Sequence, residues 1–392
     1  MPTLAQLPLA MTDLVRQEVA TAAHTIVVKV GTRVLTGADG LLNRQRVETL
    51  AEELHALMET GRKVVLVTSG AVGAGMGQLK LTKRPANLAQ LQAVAAVGQS
   101  HLVEAYDRGL RPHGRHAAQL LLTAHDLDDR TAYLNVRNTI RALFEFGALP
   151  IINENDTVSV DELQTTFGDN DRLAAMVTNL IRAPLLVLLS DVDGLYDGDP
   201  ADRGSKLIST VKRLDESVIK LARAPIAGVS KGGMASKLEA ARIATTAGEN
   251  VIIANGRTPG VLAQIAAGDV VGTLFLAQGQ ALRSFKRWIG FTARPRGVLL
   301  LDDGAREAVE KKGKSLLAAG IVDATGAFKQ GDIVSLADAA GCEFARGLTN
   351  YPLDDVLRIK GLKTDAIAGV LGRCPYHEVI HRDNMALTRE AL

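Results

Sequence analysis

Lys63-Val64-Val65-Leu66-Val67-Thr68-Ser69-Gly70-Ala71-Val72-Gly73-Ala74-Gly75 is an apolar run closed by a string of small residues. The apolar half does not alternate with polar residues, so it predicts a strand over 63–68 covered on both faces, as in a parallel sheet. The small residues after it let backbone come close to a ligand at the strand's carboxyl end. Similar apolar runs recur at 25–30, 150–153, 185–189 and 250–255. Between the runs, apolar spacing predicts helices over 44–59, 88–107, 131–146, 171–182 and 231–247. Strand and helix in alternation give a three-layer α-β-α sandwich around a mostly parallel sheet. In such folds ligands bind beyond the carboxyl ends of the strands.

The alternation stops near residue 277. Residues 283–296 then hold five basic side chains (Arg283, Lys286, Arg287, Arg294, Arg296) and no acidic one. Strands are predicted at 297–301, 320–322, 332–337, 343–348 and 378–381, with Gly and Asp between them. Residues 281–392 carry 17 basic against 14 acidic residues, and the preceding 280 carry 28 against 29. The expected organisation is an N-terminal extension (1–24) read as a frayed amphipathic helix, a catalytic α/β domain (25–280), a basic linker (281–296) and a small β-rich barrel (297–392). With 47% apolar residues and a net charge of +2, the 392-residue chain is neither disordered nor a dedicated nucleic-acid-coating protein. Two cysteines make no disulfide framework, no apolar run reaches the roughly 20 residues of a bilayer span, and the first residues lack a basic leader. A cytoplasmic location is the expectation.

Five loops carry the chemistry. Lys29 precedes Gly31-Thr32, where a lysine on a strand can reach a phosphate seated on a glycine turn. Ser69-Gly70 opens the second loop; Gly73-Ala74-Gly75-Met76-Gly77 is not the dinucleotide fingerprint, because Gln78 stands where a glycine is needed. Asn153-Glu154-Asn155-Asp156 and Gly168-Asp169-Asn170-Asp171 form the third. These carboxamides and carboxylates suit an amino-acid-like ligand, and Asp169 or Asn170 equally suits a helix cap. Ser190-Asp191-Val192-Asp193-Gly194-Leu195-Tyr196 follows the most apolar strand and suits a nucleotide or a metal, although it is too short for an EF-hand loop. Lys231-Gly232-Gly233-Met234-Ala235-Ser236-Lys237 opens a helix, where N–H groups and lysines favour anions.

In this order the loops resemble the amino-acid kinase family, most of all its members that phosphorylate the side-chain carboxylate of glutamate. The matching segments are Val28–Thr32, Val67–Ala71, Val97–Ser100, Ile152–Asp156, Phe167–Asp171, Ser190–Tyr196 and Gly232–Met234. The C-terminal part resembles the PUA module. The resemblance implies ATP as donor, Mg²⁺ held mainly by the nucleotide, and L-glutamate as acceptor for the first step of proline synthesis. It also implies proline as feedback inhibitor, acting near 157–168, and a homo-oligomer, a dimer or tetramer. A kinase for acetylglutamate and an RNA-binding protein working through the PUA-like domain are the alternatives.

A glutamate carboxylate, with an ordinary pKa of about 4.3, is already a nucleophile at neutral pH, so positioning and charge neutralisation replace a general base. Residue matching makes Lys29, Lys237 and Asp171 catalytic. It assigns Ser69, Gly70, Asn153, Asp156 and Asn170 to glutamate, with Asp156 suited to the ammonium. Lys29, Gly31, Ser190, Asp191, Lys231, Gly232, Gly233, Met234, Ala235, Ser236 and Lys237 fall to the nucleotide, and no metal site is built from protein alone. Arg33 departs from the Ser or Thr frequent at its place, which bears on phosphate contacts. Gly313-Lys314-Ser315 lacks the first glycine of a phosphate loop, since Ala308 stands there, and Cys374, His377 and His381 make an incomplete zinc pattern.

Overall fold

A computed structural model describes residues 13–158, 169–202, 204–223, 233–278, 286 and 288–388. The five runs named above become β1 (Thr25–Val30), β2 (Lys63–Thr68), β4 (Leu149–Glu154), β5 (Leu185–Ser190) and β7 (Asn250–Asn255), and three strands not anticipated, β3 (Ala117–Leu122), β6 (Thr210–Val211) and β8 (Thr273–Phe275), join them. They pair in the order β3-β4-β2-β1-β5-β7-β8-β6. Every pairing is parallel except β7 with β8. Lys29, which precedes the first glycine turn, therefore sits near the middle of the sheet, with Val67 on one side and Leu188 on the other.

Alternate residues of each central strand enter different cores, which is why the sequence shows no in–out alternation. Val27, Val65, Ile152, Leu186 and Val251 face one core, and the helices Asp169–Ile181 and Gly233–Thr246 contribute Val177 and Ala241 to it. Ile26, Val28, Leu66, Val187, Leu189 and Ile252 face the other, backed by Leu50 of Arg44–Glu59 and Leu102 of Leu88–Leu110. Each such fully buried aliphatic side chain contributes about 1.5–3 kcal/mol.

Two expectations about the flanks of this domain need correction. Residues 14–22 do not fray: Asp13 caps the helix Leu14–Ala22, and buried Arg16 donates to the carbonyls of Val271 at 2.7 Å and Gly272 at 3.0 Å. Residues 1–12 lie outside the described set. The basic stretch is not a solvated linker throughout. Trp288–Thr292 is a buried π-helical turn whose Trp288, Ile289 and Phe291 enter the first domain's core, and Trp288 Nε1 donates to the Leu127 carbonyl at 3.2 Å. Hydrophobic burial there outweighs the charge of its neighbours.

The second sheet runs β10-β9-β11-β12-β13, from β9 (Gly297–Leu301), β10 (Ile321–Gly326), β11 (Ile333–Ala337), β12 (Glu343–Leu348) and β13 (Met385–Leu387). Residues 378–381 are not a strand. Val379 N–H donates to the Leu316 carbonyl and its own carbonyl accepts from Asn350, so this backbone ties two loops instead of joining a ladder. Nor do strands and turns alone make up this part, because the helices Asp303–Glu310, Leu353–Ile359 and Thr364–Leu371 pack against it. Pro352 and Asp302 start two of them at positions that read equally as turns.

Candidate active site

One cavity of about 580 Å³ opens beyond the carboxyl ends of β1, β2, β4 and β5. The five loops meet there, since parallel strands deliver their following loops to one edge of the sheet. Lys29, Gly31, Ser69, Gly70, Asn153, Asp156, Asn170, Asp171, Ser190, Asp191, Gly233, Met234, Ser236 and Lys237 all line it. Ala235 is exposed and is not among the lining residues. Lys231 and Gly232 lie outside the described residues, as do 159–168 of the loop assigned to a feedback inhibitor.

At one end stand three charges. Lys29 Nζ is 2.6 Å from Asp171 Oδ1, and Lys237 Nζ is 3.2 Å from Asp171 Oδ2. Asp171 comes from the first turn of Asp169–Ile181, which directs its carboxylate at the lysine of β1, while Lys237 comes from the first turns of Gly233–Thr246. Ser236 Oγ donates to the same Oδ2 at 2.8 Å, and Lys237 also donates to the Gly233 carbonyl at 3.0 Å. Burial pushes the Asp171 carboxyl up, but Lys29, Lys237 and Ser236 outweigh it and hold it down at about 2. Burial lowers the pKa of Lys237, with Asp171 acting against it. Ser236 thus serves Asp171, a contact that its place in a glycine-rich helix start did not reveal.

The other end is amide-rich. Asn170 Nδ2 donates to Ser69 Oγ at 2.9 Å, Asn153 Oδ1 at 3.0 Å and the Thr68 carbonyl at 3.1 Å. Asn170 is therefore a brace between β2 and β4. Asp156 is 4% exposed, and among the described residues no cation comes within hydrogen-bond distance of it. Burial raises its pKa to about 6, with Arg84 pulling the other way. Arg84 lines the cavity from the polar loop before the helix Leu88–Leu110, and neither spacing nor neighbours mark it in the sequence.

Glycine is required at two places here. Gly70 has φ +106°, in the left-handed region, and lets the chain turn from β2 directly into the helix Ala71–Gln78. Gly75 serves packing and not a ligand: a Cβ there would stand 1.9 Å from the Val94 carbonyl of the crossing helix. The aspartates of the fourth loop are engaged, Asp191 with Arg33 at 3.1 Å and Asp193 with Asn255 Nδ2 at 2.9 Å. Among the described residues no three His, Cys, Asp or Glu side chains group to hold a metal.

The amino acid kinase family model matches residues 24–255 and the PUA domain model residues 297–371. A glutamate 5-kinase of Rhodopirellula baltica is 48% identical over 373 residues, covering 95% of this chain and 96% of its own length. A glutamate 5-kinase of Caldanaerobacter subterraneus is 46% identical, covering 92% and 97%. Among solved structures, a UMP kinase from Bacillus anthracis aligns at TM-score 0.44 and 14% identity, over 65% of this chain and 97% of its own. A carbamate kinase from Giardia lamblia bound to AMP-PNP aligns at TM-score 0.44 and 20% identity, over 66% and 100%. No helix among the described residues is long and apolar enough to cross a membrane.

Proposed function

We infer the reaction from one premise: the chain belongs to the amino acid kinase family, and within it to the glutamate 5-kinases. It transfers the γ-phosphoryl group of ATP to the side-chain carboxylate of L-glutamate, giving L-glutamate 5-phosphate for proline synthesis. The observation that carries the residue roles is that a single cavity joins a lysine–aspartate–lysine cluster to a buried aspartate that no cation among the described residues pairs.

The nucleophile needs no base, because a free carboxylate is ionised at neutral pH. What the site must supply is proximity and cancellation of negative charge as a carboxylate approaches a phosphate. Lys29 and Lys237 meet the transferring phosphoryl and the leaving group, and Asp171 fixes both ammonium groups from between them. Asp156 receives the ammonium of glutamate, and Ser69, Gly70, Asn153 and Asn170 hold the rest of the amino acid. Ser190, Asp191 and residues 231–237 take the nucleotide. Mg²⁺ neutralises phosphate oxygens when the nucleotide carries it. Asp191 lines the cavity as a partly exposed carboxylate and would hold such an ion together with phosphate oxygens and water.

Acetylation would remove the positive charge that Asp156 meets, which favours free glutamate over acetylglutamate. Feedback inhibition by proline and assembly into a homo-oligomer belong to this reading as the family's habits. Incubation with ATP, Mg²⁺ and glutamate, with hydroxylamine as trap, should give γ-glutamyl hydroxamate. No hydroxamate from glutamate, with product from acetylglutamate or aspartate, would refute the substrate assignment.

A further inference from the structure

The mechanism uses two buried lysines, yet a third cation stands in line with them. Arg33 lies on the helical turn Thr32–Leu35 that follows Gly31, and its Nη1 is 3.1 Å from Asp191 Oδ2. Both residues line the cavity, and Asp191 is near enough to Lys237 to act on its charge. Along this wall the charges alternate in the order Lys29, Asp171, Lys237, Asp191, Arg33.

The two kinds of cation differ in how firmly they are held. The lysines are buried and share Asp171. Arg33 is 57% exposed and Asp191 28%, so their ion pair is wet and weakly held. A phosphate offers a guanidinium a two-pronged acceptor with more charge than a carboxylate. Arg257 Nη2 donates to the Arg33 carbonyl at 2.7 Å, so the backbone is pinned while the side chain is free to change partners.

We propose that Arg33 leaves Asp191 when nucleotide binds and clamps the terminal phosphate of ATP, and then of ADP, as a third cation of the phosphoryl site. The proposal rests on the reading of this cavity as an ATP site. The consequence is added grip on the nucleotide, with glutamate untouched.

The test uses the full chain and calorimetry with ADP and AMP, together with KM values for ATP and glutamate. Arg33→Ser should weaken ADP binding about tenfold or more, the size of one charge-assisted hydrogen bond. AMP affinity and the glutamate KM should hold, and Arg33→Lys should recover part of the loss. The loss should persist in an Asp191→Asn background. Unchanged ADP affinity in Arg33→Ser would overturn the proposal. So would equal losses for AMP and ADP, or a loss that vanishes once Asp191 is Asn, since Arg33 would then only neutralise Asp191. If the unsubstituted protein binds no ADP, the ATP-site reading itself fails.

Discussion

Asp171 and Asp156 are both buried aspartates on one cavity, and their surroundings drive them in opposite directions. Asp171 is enclosed by two ammonium groups and a hydroxyl, and its carboxyl is held down at about 2. Asp156 has burial without a bonded cation, and its carboxyl rises to about 6. On the proposed reading, the two lysines of the phosphoryl end are already fixed by Asp171 before any substrate arrives, so they need little rearrangement during transfer. On the same reading, the amino-acid end has a buried carboxylate that no cation among the described residues pairs, and the ammonium of the substrate supplies the charge. Preorganisation is concentrated where charge moves, and selectivity where it does not.

The contrast can be broken at several points. The largest effect is expected from Lys237→Ala, which removes a cation from the reacting group while Lys29 still neutralises Asp171. kcat should fall by about 10³-fold, with little change in thermal unfolding. Near-normal turnover would end its catalytic assignment. Asp171→Ala should act on both stability and rate, because it leaves two buried lysines without a counter-charge. A stability loss of about 3–5 kcal/mol in denaturant titration is the expected scale, and an unfolding midpoint like that of the unsubstituted protein would show that the lysines find another partner.

At the other end, Asp156→Asn should raise the glutamate KM by about 10- to 100-fold with kcat nearly kept. An unchanged KM would rule out the ammonium contact. The same aspartate predicts a pH effect. The ionised form meets the ammonium, so kcat/KM for glutamate should fall about tenfold per pH unit below about 6. The Asn variant should lack that limb. The smallest effect is on stability. A carboxyl whose value rises from 3.8 to about 6 on folding binds its proton more tightly in the folded state. Stability therefore falls as pH rises from about 4 to 6, and the charged form remains costly above that. Asp156→Asn should accordingly stabilise the ligand-free protein at pH 7 by on the order of 1 kcal/mol; a loss of stability would mean that the aspartate has a partner of its own.

The sequence was most readable where local pattern and tertiary environment agree. β1, β2 and β7 are buried on both faces, and their bounds follow from apolar runs alone. Lys29 and Asn153 stood in strands and Lys237 and Asn170 in helix starts, so the sheet that displays the strands also gathers the loops. β6 and β8 are two and three residues long and exist through pairing with partners far along the chain, which no local window contains. Residues 378–381 have strand composition, but tertiary hydrogen bonds claim their backbone. Gly75 looked like a ligand-approach residue because close packing of helices and close approach of a ligand select the same small side chain. Arg84 carried no signal, since a lone cation in a polar loop has no periodicity.

The buried turn Trp288–Thr292 has a bearing on synthesis. Its apolar side chains share a core with Val27, Val177 and Val251, which come from the sheet and helices made earlier. All eight strands of the first sheet precede it in the chain. A nascent polypeptide that has just released β8 therefore carries an apolar face whose cover is still inside the ribosome. Ile333 and Ala386, from the second sheet, belong to that same core and emerge later still. Vectorial folding of the first unit is thus finished only by the second, and in that interval chaperone capture or aggregation competes with folding.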